Sequence, residues 1–291
     1  MPAELLWDCR CRLGEGTVWN VADASLYFVD VLGCEVLAFT PGTGRQRRWT
    51  MPQRIGWLLP RRGGGWIAGF QSGLAALTLE PEVSMQWLHR LHAVDSTMRL
   101  NDAKVDAEGQ LWFGSLNHRH EASPDGRFYR WTAGSVPVEV DAGYHVTNGP
   151  TFSLDGRTVF HTDSVRATVY AYDWREDGTL SPRRPWLTFG PGEGYPDGMT
   201  TDAGGHLWIA HWDGARVTQR DADSGRVLRT IELPVPRVTD VVFGGADGSD
   251  LFISSARAGL DAAALQCAPL SGSLFVVRGA GRGLPARAFA G

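Results

Sequence analysis

The stretch AKVDAEGQLWFGSL, residues 103–116, reads as a short apolar strand, a tight turn through Asp-Ala-Glu-Gly, and a second strand rich in aromatic residues. Asp and Gly supply the backbone geometry of a hairpin turn, and the alternating apolar residues on either side supply the strands. The pattern recurs as TVWNVADASLYFVDV (17–31), WLLPRRGGGWIAGF (57–70), PTFSLDGRTVFHTD (150–163), MTTDAGGHLWIAHW (199–212) and VVFGGADGSDLFISS (241–255). The turns fall near Ala24, Gly64, Gly109, Gly156, Gly205 and Gly248, about 40 to 49 residues apart. A fainter pair of strands follows each hairpin, as in GCEVLAFTPGTGRQRRWTM (33–51) and RATVYAYDWREDGTLSPRRPWL (166–187). Four strands in about 45 residues is the period of a β-propeller blade. A lone four-stranded sheet cannot bury both faces, whereas a closed ring of sheets can. The expected fold is therefore all-β: a six-bladed propeller of four-stranded antiparallel blades around a central channel, one domain over 1–291. A solenoid or sandwich is the competing architecture. The one helix-like stretch, Leu260 to Gln266, is too short to alter the class.

Composition agrees. Gly is 36 of 291 residues and Trp reaches 12, as many tight turns between aromatic-rich strands require. A net charge of -4 provides no basic face for nucleic acid. No apolar run is long enough to span a membrane, and MPAELLWDCRCRLGEG (1–16) lacks the basic and apolar regions of a secretory signal. Cys9, Cys11, Cys34 and Cys267 fit neither a zinc site nor a disulfide framework, and Cys9 and Cys11 would share one face of a strand. The expectation is reduced thiols in a cytoplasmic protein, acting as a monomer.

In a propeller the first strand of each blade lines the channel, so residues entering those strands crowd one mouth. Counting back eight positions from Asp23 in the first turn and from the glycine of each later turn selects Glu15, Gly56, Asn101, Asn148 and Asp197, with Asp240 by count or Thr239 by strand alignment in the last blade. Side chains far apart in sequence should thus converge as a set of carboxylate and amide oxygens, which suits a hard or borderline divalent cation. Asn and Asp beside Gly are also ordinary turn formers. Four of them at equivalent ring positions favour the shared site.

At these residues the chain resembles the regucalcin/gluconolactonase family. The matching words are LGEGTVW (13–19), RLNDAKVDAEGQLWFGSL (99–116), TNGPTFSLDGRTVFHTDS (147–164), YPDGMTTDAGGHLWIAHW (195–212) and FGG…LFISSAR (243–257). They preserve the order and spacing of the family's motifs over nearly the entire chain, and look most like the bacterial aldonolactonases. The resemblance implies a six-bladed propeller that hydrolyses a sugar lactone such as glucono-, xylono- or arabinonolactone, with one divalent ion (Ca, Zn, Mn, Mg or Fe). It places the metal ligands at Glu15, Asn148 and Asp197, with Asp197 also the general base, and the substrate contacts at Arg99 and Asn101. The family's further acidic contact has no clean counterpart in NHRHEASPDG (117–126), where Glu121 is the candidate. Asp197 as a pure ligand, with metal-bound water as nucleophile, is the alternative. A metal-dependent organophosphate esterase and a non-catalytic calcium-binding scaffold are the competing functions.

Other features are read as structural. No GxSxG nucleophile elbow and no GxGxxG in a strand–helix setting occur. Lys104, the only lysine, is left outside the site. His161, Asp163 and His211 are read as hydrogen-bonded residues stabilising blades. Trp19, Trp112 and Trp208 are expected to pack between blades, and Trp57, Tyr144 and His145 to shape the mouth.

Overall fold

The structure, a computed structural model, describes residues 2–291. These form six four-stranded antiparallel sheets arranged as a six-bladed β-propeller. The innermost strands are Gly14–Asn20, Ile55–Pro60, Met98–Val105, Thr147–Phe152, Tyr195–Thr201 and Val238–Gly244. Five blades are continuous in sequence, for example Gly14–Asn20, Ser25–Asp30, Glu35–Thr40 and Arg45–Thr50 in the first. The sixth is composite. Its outermost strand is the N-terminal Glu4–Trp7, which pairs with Leu274–Val277 in the register Glu4 to Val276 and Leu5 to Phe275. This bond between the two ends of the chain closes the ring, and the period count alone does not reveal it. The strand stops short of Cys9 and Cys11, so those residues share no strand face. Both are nevertheless buried, and all four cysteines are free.

Burial follows position within each blade. Inner and second strands are almost wholly buried, whereas outer strands such as Arg45–Thr50 and Val227–Glu232 alternate with exposed polar residues. That gradient explains why the second strand pair of each repeat is fainter in sequence. The recurrent Asp-Ala-x-Gly-x-Leu-Trp word has a local cause. Asp106 accepts the backbone N–H groups of Glu108 and Gln110 through one oxygen and the Trp112 indole N–H, at 2.7 Å, through the other. Asp202 does the same for Gly204, His206 and Trp208. Each Asp therefore ties its turn and fixes the Trp that packs beyond it. Trp112 meets Phe152 and Trp174 of the next blade, Trp208 meets Phe243, and Trp19 stacks on Phe252 at 5.4 Å. The three expected inter-blade tryptophans are in place. The helix, Ala262–Cys267, hangs off the sixth blade and is capped by Asp261.

Candidate active site

All six inner strands carry a register shift at the same level: between Glu15 and Val18, Ile55 and Trp57, Leu100 and Ala103, Asn148 and Thr151, Pro196 and Met199, and Val238 and Val241. A bulge of this kind breaks the pleat and re-aims side chains. Here it turns one polar residue per blade toward the channel axis. Blade two is the exception, because a Cβ at Gly56 would lie 2.4 Å from the Asn101 carbonyl oxygen. No side chain fits there.

The six residues singled out in the sequence come together. Glu15, Arg99, Asn101, Glu121, Asn148 and Asp197 all line one cavity of about 290 Å³, near the lower end of small-molecule sites. Five of them are buried, and Glu121 is exposed at the rim. Hydrogen bonds link three blades. Arg99 Nη1 donates to Asn101 Oδ1, Asn101 Nδ2 donates to Asn148 Oδ1 at 2.7 Å, Asn148 Nδ2 donates to Ser164 Oγ at 2.8 Å, and Ser164 Oγ donates to the Pro196 carbonyl at 2.7 Å. These bonds fix the Asn148 amide with its nitrogen toward Ser164 and its oxygen toward Asn101. Asp197 Oδ1 is buried without any partner.

Such a site strains against its own charge. Burial raises the Glu15 carboxyl well above its ordinary range, and Asp197, Asp240 and Asp102 add to the effect. Burial likewise raises Asp197, with Asp102 and Asp240 adding. Asp102 is pushed up to about 7 by burial and by Asp240. Arg99 is pushed down to about 10, mainly by burial. Glu15 and Asp197 carry carboxylate oxygens, Asn148 a hydrogen-bonded amide oxygen, and one Asp197 oxygen has no partner, so these residues could hold a cation. An all-oxygen set of this type is what hard divalent ions take. No trio of His, Cys, Asp or Glu side chains that could hold a metal ion converges among the described residues.

Sequence reasoning missed several residues of the cavity. Ser164 orients Asn148, and Leu13, Val146 and Tyr195 form a tier above the ring. Those three precede Glu15, Asn148 and Asp197 by two positions, so counting back ten from the turns, not eight, finds them. Three expected mouth residues are elsewhere. Trp57 is buried against Phe113 and over Gly69, Tyr144 is buried against His161 and Tyr172, and His145 faces Asp163. The Trp57 and Tyr144 rings are large enough to be drawn into the inter-blade core instead. His211 is hydrogen-bonded as expected, between the Glu193 carbonyl and Thr218. His161 is not: neither ring nitrogen has a partner, the ring lies 3.8 Å from Phe128, and burial pushes it down to about 3. It behaves as a neutral aromatic core residue. Lys104 is absent from this cavity but lines another at the opposite end of the inner strands. Asp240, Asp102 and Glu15 outweigh its burial and raise its pKa.

Residues 13–257 match the model of the SMP-30/Gluconolactonase/LRE-like region. The chain belongs to this family. Among its relatives is regucalcin of Oryctolagus cuniculus, 33% identical over 292 residues that cover 97% of this chain and 96% of that protein. Two solved family structures superpose closely. A luciferin-regenerating enzyme matches at a TM-score of 0.92 and 25% identity, over 99% of both chains. A calcium-binding protein, regucalcin, from Agrobacterium tumefaciens matches at 0.90 and 24%, over 97% of this chain and 96% of that one. The shared fold therefore spans the whole propeller. Among the described residues no helix is long and apolar enough to cross a membrane.

Proposed function

We propose that this protein hydrolyses a sugar lactone with one divalent cation held by Glu15, Asn148 and Asp197. The observation that carries the reading is the buried, partnerless Asp197 oxygen in a cavity where Glu15 and an oriented Asn148 amide also converge. The family's description includes gluconolactonase, and the Agrobacterium relative is called calcium-binding; both support the reading.

When bound, the cation supplies Lewis-acid polarisation of the lactone carbonyl. The protein's own residues do the rest. Arg99 has one guanidinium nitrogen committed to Asn101 and the Leu100 carbonyl, which aims its remaining donors into the cavity for ring or hydroxyl oxygens. Asn101 holds Asn148 in place and presents its own amide beside the substrate. The Asp197 carboxylate takes the proton of the attacking water, whose oxygen bonds to the carbonyl carbon. The ring C–O bond then breaks, and the proton passes to the departing ring oxygen. Glu121 on the rim contacts the sugar's hydroxyls. We place the reaction in the cytoplasm, with a monomer acting on a free small molecule; the four free thiols support that compartment.

A panel of glucono-, xylono- and arabinonolactone, assayed by acid release with each divalent metal in turn, tests the proposal. Metal-dependent turnover of at least one is expected. Turnover of a fluorophosphate and of no lactone would replace the substrate class, and no hydrolysis with any metal would overturn the reading.

A further inference from the structure

Two positions before the ring residues, where the chain enters or begins each inner strand, stand Leu13, Arg54, Arg99, Val146, Tyr195 and Arg237. Leu13, Arg99, Val146 and Tyr195 line the cavity. Arg237 is engaged elsewhere, donating to Asp213 and the Ala258 carbonyl and lying over Trp212. Arg54 is different. Among the described residues its half-buried guanidinium has no ion pair and donates no hydrogen bond. Asp30 and Glu35, which like Arg54 lie close to Cys34, are already occupied. Asp30 accepts the backbone N–H groups of Arg12, Leu13 and Gly33, and Glu35 pairs with Arg48 at 2.7 Å.

The ring position after Arg54 is Gly56, whose absent Cβ would meet the Leu100 and Asn101 carbonyls, so the two inner strands lie close and Arg54 is level with Arg99. Arg99 stands beside it in the next blade. The strand after Arg99 pairs Leu116 with it, so His118 and Arg119 follow at the same rim. The exposed Arg119 likewise has no ion pair. His118 is pushed down to about 4 by burial and by Arg54, Arg99 and Arg119, consistent with three guanidinium groups facing one side of the mouth. Glu121 is the acidic group opposing them. Opening an uncharged lactone calls on the carboxylates and Arg99. It has no use for the extra positive charge.

We propose that the site takes a lactone bearing a second, anionic group, a carboxylate or a phosphate remote from the ring carbonyl, and that Arg54 is the specificity residue that binds it. This rests on the lactone-hydrolysis reading and narrows its substrate class. The test compares a neutral aldonolactone, a carboxylate-bearing aldarolactone and a phosphorylated aldonolactone on the cation-loaded parent, Arg54→Gln and Arg54→Lys. One charged lactone should exceed the neutral one in kcat/KM, which identifies the anion. Arg54→Gln should raise KM for it about tenfold or more with kcat nearly unchanged, as loss of a charged hydrogen bond implies. The neutral lactone should be unaffected, and Arg54→Lys should recover part of the loss. Preference for the neutral lactone over both charged ones, or an equal effect of Arg54→Gln on all three, would overturn the inference. Calorimetry with the corresponding open-chain acids separates the two readings. Arg54-dependent binding of the doubly charged acid without turnover of any lactone upholds anion recognition while removing the hydrolytic reading.

Discussion

The two ends of the channel are built from the same six strands and differ in how their polar atoms are satisfied. At the far end, Thr151 and Thr201 share a 2.8 Å hydroxyl contact, Thr201 donates to the Phe152 carbonyl, and the segment Leu284 to Arg287 lies across the opening. At the mouth, Asp197 lines the cavity with one buried oxygen without a partner, and Asp102 and Asp240, close behind it, each keep one such oxygen too. Buried polar groups are nearly always paired, so an unpaired set marks a place where stability has been yielded to binding. The regular end holds the ring together, and the bulged end is left open to a ligand.

If that contrast is right, Asp197→Asn should have the largest effect and should split function from stability. Turnover of the best lactone should fall about 10²–10⁴-fold, while thermal unfolding of the metal-stripped protein occurs at the same or a higher temperature, because a buried unpaired charge has been removed. A large loss of both together would mean that Asp197 is structural.

The pH dependence sharpens the comparison. Glu15, Asp102 and Asp197 have folded-state pKa values above their unfolded ones, so the folded chain holds more protons between the two. Their stability contribution is complete below the ordinary carboxylate range and is lost as pH rises through the folded values. For Asp102 that window runs from 3.8 to about 7. The melting temperature of metal-stripped protein should therefore decline over this interval, and a saturating divalent cation should flatten the decline. A melting temperature that rises across the interval without metal would contradict the account.

The smallest effect belongs to the far end. Thr201→Val removes a hydroxyl shared by Thr151 and the Phe152 carbonyl and should cost about 1 kcal/mol in urea unfolding, with lactone turnover and cation affinity unchanged. A change in turnover would show that the two ends are coupled.

How far the sequence carried the fold and site depends on what repeats. Hairpin turns such as Asp106 to Gly109 recur with their flanking aromatics, so blade number, strand order and the convergence of Glu15, Asn101, Asn148 and Asp197 are legible from spacing. The closing strand Glu4–Trp7 is not, because it completes a blade begun more than two hundred residues away. The bulges are also hidden. A one-residue change of register leaves no mark in composition, yet at this level Asp102 lies close enough to Glu15 and Asp197 to raise their pKa values. Trp57 and Tyr144 were misplaced for a related reason, since proximity in sequence to a ring residue says nothing about which side of the strand a large ring will choose. Glu121, in a loop without periodicity, reaches the cavity through a turn whose path only the structure supplies.

The central claim is that oxygens from three separate blades grip one cation. Titration calorimetry of a divalent metal into the stripped protein, repeated on Glu15→Gln, Asn148→Leu and Asp197→Asn, tests it most directly. The account predicts one ion per chain for the parent and an affinity at least tenfold weaker in every variant. Binding as tight in all three as in the parent would place the ion elsewhere and contradict it.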